Sequence, residues 1–201
     1  MQMVQSVNNK VLSRIYGKKR GWVFTPSNFL DLGSRAAIDQ ALGRLVKPGT
    51  IRRLACGLYE YPKKHHDFWD IPPNYERIAQ ALAGRGSLKI QPSGAYAANL
   101  LGLTEQVPAK IVFLTDGPNS KLQIGKRQIV LKRTTPKNMA TAGKISGLVI
   151  QALRYLKRDY VDSIVIEKLK YKLTEKDKKG LVKDICYAPA WIGGIFRQLQ
   201  R

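Results

Sequence analysis

The sequence predicts an α+β chain of two domains, and three observations lead there. Apolar residues recur at helical spacing in three consecutive segments up to about residue 47. Two short apolar runs flank a glycine immediately afterwards. Beyond about residue 74, strand-like and helix-like stretches mix without regular alternation. A length of 201 residues with 44% hydrophobic composition is enough to bury a core in each of two small domains.

Val4, Val7, Val11, Leu12 and Ile15 lie three or four residues apart, the spacing of one helical face, and Gly17 is placed to cap that helix. The basic triplet Lys18-Lys19-Arg20 and the apolar run Trp22-Val23-Phe24 follow. Thr25-Pro26 opens a second, short helix carrying Phe29, Leu30 and Leu32, because threonine caps and proline suits the first helical position. Gly33 offers the left-handed conformation of a tight turn, and Ser34 caps the next helix. That third helix, over about residues 35–47, aligns Ile38, Ala41, Leu42, Leu45 and Val46 on one side. Ala36, Gln40, Gly43, Arg44 and Lys47 fall opposite, with Asp39 at the margin. Pro48-Gly49 ends it, and residues 50–55 and 58–61 read as two strands around Cys56-Gly57. Three helices, a glycine turn and a hairpin in this order predict a winged helix-turn-helix domain over residues 1–66.

Residues 67–73, with Pro72-Pro73, have the composition of a linker, and a mixed strand-helix C-terminal domain is expected over residues 74–201. Its elements begin with a helix carrying Tyr75, Ile78, Ala79, Leu82 and Ala83 and a brief strand at Leu88-Lys89-Ile90. A helix of small residues, capped by Ser93 and ended by Gly102, follows; its composition suits close helix packing ahead of the approach of a ligand to its backbone. Residues 111–114, 122–124 and 129–131 read as strands, with Asp116-Gly117-Pro118-Asn119 as a turn. From about Lys144, Ile145, Leu148, Val149, Ala152 and Leu156 share a helical face. A charged stretch at 168–183 leads into a closing helix that buries Trp191, Ile192, Ile195, Phe196 and Leu199.

The formal net charge is +21, and self-repulsion of that size favours a polyanionic partner. The charge is unevenly spread. Residues 1–66 hold 12 Lys/Arg against 3 Asp/Glu, residues 67–120 hold 4 against 5, and residues 121–201 hold 19 against 6. Two basic ends around a neutral middle predict two electropositive surfaces, the first of them for double-stranded DNA. The outer face of the third helix fits the major groove, where Gln40 can pair with adenine, Arg44 with guanine or phosphate, and Ala36 can touch a thymine methyl. Lys18, Lys19, Arg20, Lys47, Arg52 and Arg53 can neutralise flanking phosphates, while Ser34 and Arg35 stand at a helix N-terminus whose amides favour an anion. The second surface comprises Lys121, Lys126, Arg127, Lys132, Arg133 and Lys137, which can follow a phosphate backbone or form a solvated sheet face. The run at 168–183 reads as a solvated helix flank.

Other classes of function find little support. No stretch approaches the roughly 20 apolar residues that span a bilayer, and residues 1–10 lack a signal-peptide pattern, so a cytoplasmic protein is expected. Cys56 and Cys186 have no second ligand at metal-binding spacing and His65-His66 has no third, so neither metal nor cofactor is expected. HExxH, GxxxxGK, GxSxG and GxGxxG patterns are missing. The carboxylates are scattered, with only Glu105 and Asp116 flanking one predicted strand, and no enzyme is expected.

Phe24-Thr25-Pro26-Ser27-Asn28-Phe29, Leu32-Gly33-Ser34-Arg35, Ala41-Leu42-Gly43-Arg44-Leu45, Gly49-Thr50-Ile51-Arg52-Arg53 and Gly57-Leu58-Tyr59 resemble the AbiEi-type antitoxins of type IV toxin-antitoxin systems. The resemblance continues through Gln91-Pro92-Ser93-Gly94-Ala95, Leu101-Gly102-Leu103, Gln106-Val107-Pro108-Ala109, Leu114-Thr115-Asp116-Gly117 and Tyr187-Ala188-Pro189-Ala190-Trp191, covering nearly the whole chain. It implies an N-terminal domain that represses its own operon and a C-terminal domain that counteracts a nucleotidyltransferase-like toxin without needing to touch it. On that pattern residues 34–47 and the wing at Arg52 and Arg53 contact the operator. A winged-helix adaptor for a protein or RNA, with no toxin partner, is the alternative.

Overall fold

The chain opens with α1 (Val7–Tyr16), which buries Val11 and Ile15 and is capped by Ser6, whose hydroxyl accepts from the Asn9 N–H at 3.3 Å. The computed structural model describes residues 6–63, 71, 73–84 and 88–200; Val4, His65, His66 and most of the expected linker lie outside these. It is a mixed α+β structure with two units, residues 1–85 and 86–201.

In the first unit α1 is followed by β1 (Trp22–Phe24), a 3-10 turn (Pro26–Phe29), α2 (Arg35–Val46), the hairpin β2 (Arg52–Ala55) and β3 (Leu58–Tyr61), and α3 (Tyr75–Ala83). The apolar run Trp22-Val23-Phe24 is a strand: it pairs antiparallel with β3, Trp22 opposite Tyr61 and Phe24 opposite Tyr59, giving a sheet of order β1-β3-β2. A bulge between Arg53 and Ala55 accounts for the broken apolar alternation of the hairpin.

The structure departs from three of these expectations. The short second helix is only a 3-10 turn, because the Thr25 N–H donates to Asn28 Oδ1 at 2.9 Å and closes a single turn that drives Phe29 fully into the core and leaves Leu30 exposed. Gly33 does not adopt a positive φ. A Cβ there would lie 3.0 Å from Val7 Cγ2, so the glycine permits the approach of α1 rather than a left-handed turn. Finally, α3 packs on β1 and buries Ile78 and Ala79, which carries the first unit on to residue 85 instead of ending it near 66.

The second unit contains β4 (Ile90–Ser93), α4 (Gly94–Leu100), β5 (Lys110–Thr115), β6 (Ser120–Ile124), β7 (Arg127–Arg133), α5 (Pro136–Met139), α6 (Ile145–Leu156), α7 (Ser163–Lys172), α8 (Glu175–Lys183) and α9 (Ala190–Gln200). The sheet order is β4-β5-β7-β6, with β5 and β7 parallel and the other pairs antiparallel. Ile111, Phe113, Ile129 and Leu131 are buried, and the Tyr96 ring of α4 meets Phe113 edge-on at 5.5 Å. A helical core continues from Ala97 and Ala98 of α4 through Val149 and Leu153 of α6 to Leu169, Leu181, Ile192 and Phe196. The small residues of α4 serve this contact. The charged stretch at 168–183 is the end of α7 and all of α8, capped by Asp162 and Thr174. Among the described residues no helix is long and apolar enough to cross a membrane.

A polar seam joins sheet and helices in this unit. Gln91 Oε1 accepts from the Gly143 N–H at 3.2 Å, and the Ser93 hydroxyl donates to Gln151 Oε1 at 3.1 Å. Gly147 lets α6 come this close: a Cβ there would collide with the Thr141 carbonyl oxygen and sit 2.6 Å from Gln91 Oε1. Gly147→Ala is therefore expected to cost about 1–3 kcal/mol in urea denaturation. Gly43→Ala, which meets nothing within 4 Å on the exposed side of α2, is expected to stabilise by up to about 1 kcal/mol.

Asp184, at the end of α8, is buried, and burial pushes its carboxyl up. The hydrogen bonds from Lys144 Nζ at 2.8 Å and the Ser146 hydroxyl at 2.5 Å, with the Lys144 charge, outweigh this and hold it below the ordinary carboxylate range. A depressed folded-state pKa gives stability that is complete above the unfolded value and lost as pH falls through the folded one. The stability of the parent chain should thus decline below about pH 4, and Asp184→Asn should flatten that acid limb. Thermal melts across pH 2 to 7 for both chains check this.

Candidate nucleic-acid interface

Three carboxylates lie between residues 6 and 63, and each is held by an arginine. Arg14 of α1 grips Asp31 with two hydrogen bonds, Nη1 to Oδ1 at 2.7 Å and Nη2 to Oδ2 at 2.6 Å, and also donates to the Asn28 carbonyl at 2.9 Å. The hydrogen bond to Asp31 raises the Arg14 pKa further above its usual value. Arg35 and Asp39, one turn apart on α2, pair at 2.9 Å. In the sheet, Glu60 on the central strand is only 3% exposed and receives Arg52 Nε at 3.1 Å and Nη2 at 2.6 Å; the same guanidinium donates to the Ile71 carbonyl at 3.0 Å.

With every carboxylate of this stretch engaged, the remaining cations face water without a counter-charge. Lys18, Lys19, Arg44, Lys47 and Arg53 are exposed and, among the described residues, in no ion pair. Arg44 and Lys47 belong to α2, a helix whose Ile38, Ala41, Leu42 and Leu45 are buried. That burial turns Ala36, Gln40, Gly43, Arg44 and Lys47 outward, and all are exposed. Ser34 caps the helix, its hydroxyl accepting from the Ala37 N–H at 3.3 Å. The outward face is low in relief, since Ala36 and Gly43 bring the backbone near the surface between the longer side chains.

The other sequence-predicted residues are placed differently from one another. Lys18 holds its ammonium 5.7 Å over the Trp22 ring, and Arg20 lies 4.8 Å over Tyr61 while donating to the Pro62 carbonyl at 3.1 Å. Arg52 is committed to Glu60, whereas Arg53, next to it in the chain, points outward at the bulge. A cleft of about 790 Å³, unannounced by the sequence, lies beside the start of α2 between Trp22, Arg35, Gly57 and Arg77.

The six basic residues of the second unit do not form one surface. Lys121 lies opposite Val130, two residues before Lys132, so Lys121 and Lys132 share a sheet face; Arg127 and Arg133, at odd steps from Val130, belong to the other. Lys126 sits in the turn after Gly125 and Lys137 on α5. Lys121 is on the edge strand β6, where a lysine also discourages strand addition. Asp116 has a structural duty, accepting from the Lys89 N–H at 3.0 Å.

Glu60→Gln removes the charge that the half-buried Arg52 requires, and the expected loss of stability is about 3 kcal/mol. Asp39→Ala, in an exposed pair, should change stability by less than about 1 kcal/mol. Urea denaturation of the two variants side by side measures the difference.

No curated protein matches the chain. Among solved structures, the RV2827C protein from Mycobacterium tuberculosis superposes with a TM-score of 0.51 over 96% of this chain and 76% of that one, at 15% identity. This likeness is one of fold. A family of unknown function, DUF6088, matches residues 10–181, and the chain belongs to that family.

Proposed function

We propose that the chain is a DNA-binding transcriptional regulator whose first unit is a winged helix-turn-helix. In this reading the first helix of the motif is reduced to the 3-10 turn, α2 is the recognition helix and β2–β3 the wing. The observation that carries it is the outward face of α2: a capped helix, anchored by four buried side chains, presents Gln40, Arg44 and Lys47 to solvent, with no carboxylate among the described residues paired to the two cations. Such a face matches the major groove in size and charge, with Gln40 and Arg44 able to reach base edges. Lys18, Lys19 and Arg53 supply phosphate contacts on either side, and Arg52 holds the wing in shape.

The resemblance to AbiEi-type antitoxins extends the proposal. The first unit represses its own operon, and the second counteracts a nucleotidyltransferase-like toxin. Substitutions at Arg44 and Lys47 should then relieve repression of a reporter driven by the gene's own upstream sequence while leaving protection against the toxin intact. Loss of both together would contradict that division of labour.

Duplex affinity measured by fluorescence anisotropy should fall steeply with salt, with a log-log slope of about −0.9 per phosphate neutralised. Lys47→Gln should shallow that slope by about one, and Gln40→Ala should relax sequence preference by about 1–3 kcal/mol at one position. Binding that is unchanged across a fourfold range of salt would overturn the proposal.

A further inference from the structure

Tyr171 is 96% exposed, Tyr160 71% and Ile164 63%, three large side chains in one short stretch of the second unit. Single exposed apolar residues are ordinary; several together, edged with charge, mark an interaction surface. On α7, Ile164, Lys168 and Tyr171 are four and then three residues apart and form one outward stripe, opposite the buried Ile166 and Leu169. Tyr171, Lys168, Lys172 and Glu167 line one side of a groove of about 470 Å³, and Leu101 and Gly102, just beyond α4, line the other.

We propose that this groove binds an unpaired stretch of nucleic acid, with a base stacked on Tyr171 and the phosphate chain on Lys168 and Lys172. A ring exposed to this degree offers its π-face to a base. Bases within a duplex are already stacked above and below, so only an unpaired one is available. Two lysines against the single carboxylate of Glu167 leave the groove positive, as a phosphodiester chain requires. A protein partner fits less well, because the core of a protein interface is depleted in lysine and glutamate, the residues that flank Tyr171 along the groove. The site is distinct from the α2 face and rests on none of its residues.

The test uses the full chain and labelled oligo(dT) and oligo(rU) of about ten nucleotides in anisotropy titrations. The parent should bind at least one of them, the preference between them reporting the sugar. Tyr171→Ala should weaken binding roughly tenfold, and Tyr171→Phe, which keeps the ring, should match the parent. Lys168→Gln with Lys172→Gln should weaken it and shallow its salt dependence. Duplex binding should be untouched by Tyr171→Ala, and Arg44→Glu should leave oligonucleotide binding unchanged. Failure of the parent to bind either oligonucleotide, parental affinity in Tyr171→Ala, or an equal loss in Tyr171→Phe would each overturn the proposal. So would loss of oligonucleotide binding in Arg44→Glu, which would place the strand on α2.

Discussion

The seating of α2 on a cluster of aromatic rings is the constraint from which the rest of the first unit follows. Ile38, Ala41, Leu42 and Leu45 enter a core made by Phe24, Phe29 and Tyr59, whose rings meet at 5.4 Å edge-on and 6.0 Å stacked. Burying an aliphatic side chain of this size is worth about 2 kcal/mol, so rotating the helix by even one residue would exchange apolar burial for polar burial at a cost no surface contact offsets. The rotational setting of α2 is thereby decided from inside. Its outer residues are not chosen by a partner; they are what the core leaves facing water, and the sequence has placed Gln40, Arg44 and Lys47 there.

Electrostatics act on top of that packing. The paired positions at Asp31 and Glu60 are taken by arginine, whose planar guanidinium suits a fixed geometry, while Lys18, Lys19 and Lys47 stay outside together with Arg44 and Arg53. Each of these ion pairs is neutral, so the net positive charge of the first unit rests on the cations that no carboxylate holds, Lys18, Lys19, Arg44, Lys47 and Arg53 among the described residues. Arg14 fastens α1 to the segment before α2, and Arg52 fastens the hairpin to its central strand and to Ile71.

Much of this was legible in the sequence, and most of the parts that were not share a cause. The span and buried stripe of α2, the Ser34 cap, the hairpin and the closing helix follow from local periodicity and capping, which act within a few residues. The strand at Trp22-Val23-Phe24 depends on pairing with residues near 60, and α3 joins the first unit through packing on that strand. Gly33 reads as a turn residue until Val7 is seen against it, and Arg52 reads as a surface cation until Glu60 is found buried opposite. In the second unit the six basic residues looked like one patch because sequence proximity hides the two faces of a strand. Apart from the 3-10 turn, which the local Thr25–Asn28 bond closes, each miss is a non-local contact, which no single stretch of sequence announces.

The two units therefore offer different surfaces: a relief-poor helix face in the first, whose marginal Asp39 is taken up by Arg35, and a groove with an exposed ring in the second. The function proposed for the first unit depends on whether the setting of α2 presents its outer face to duplex DNA. The most direct measurement is a titration of the isotopically labelled chain with a short duplex, followed by backbone amide shifts. The shifts should concentrate at residues 34–47 and at the hairpin tip around residues 53–57. Shifts confined to other residues, with those of α2 unchanged at saturation, would contradict that function.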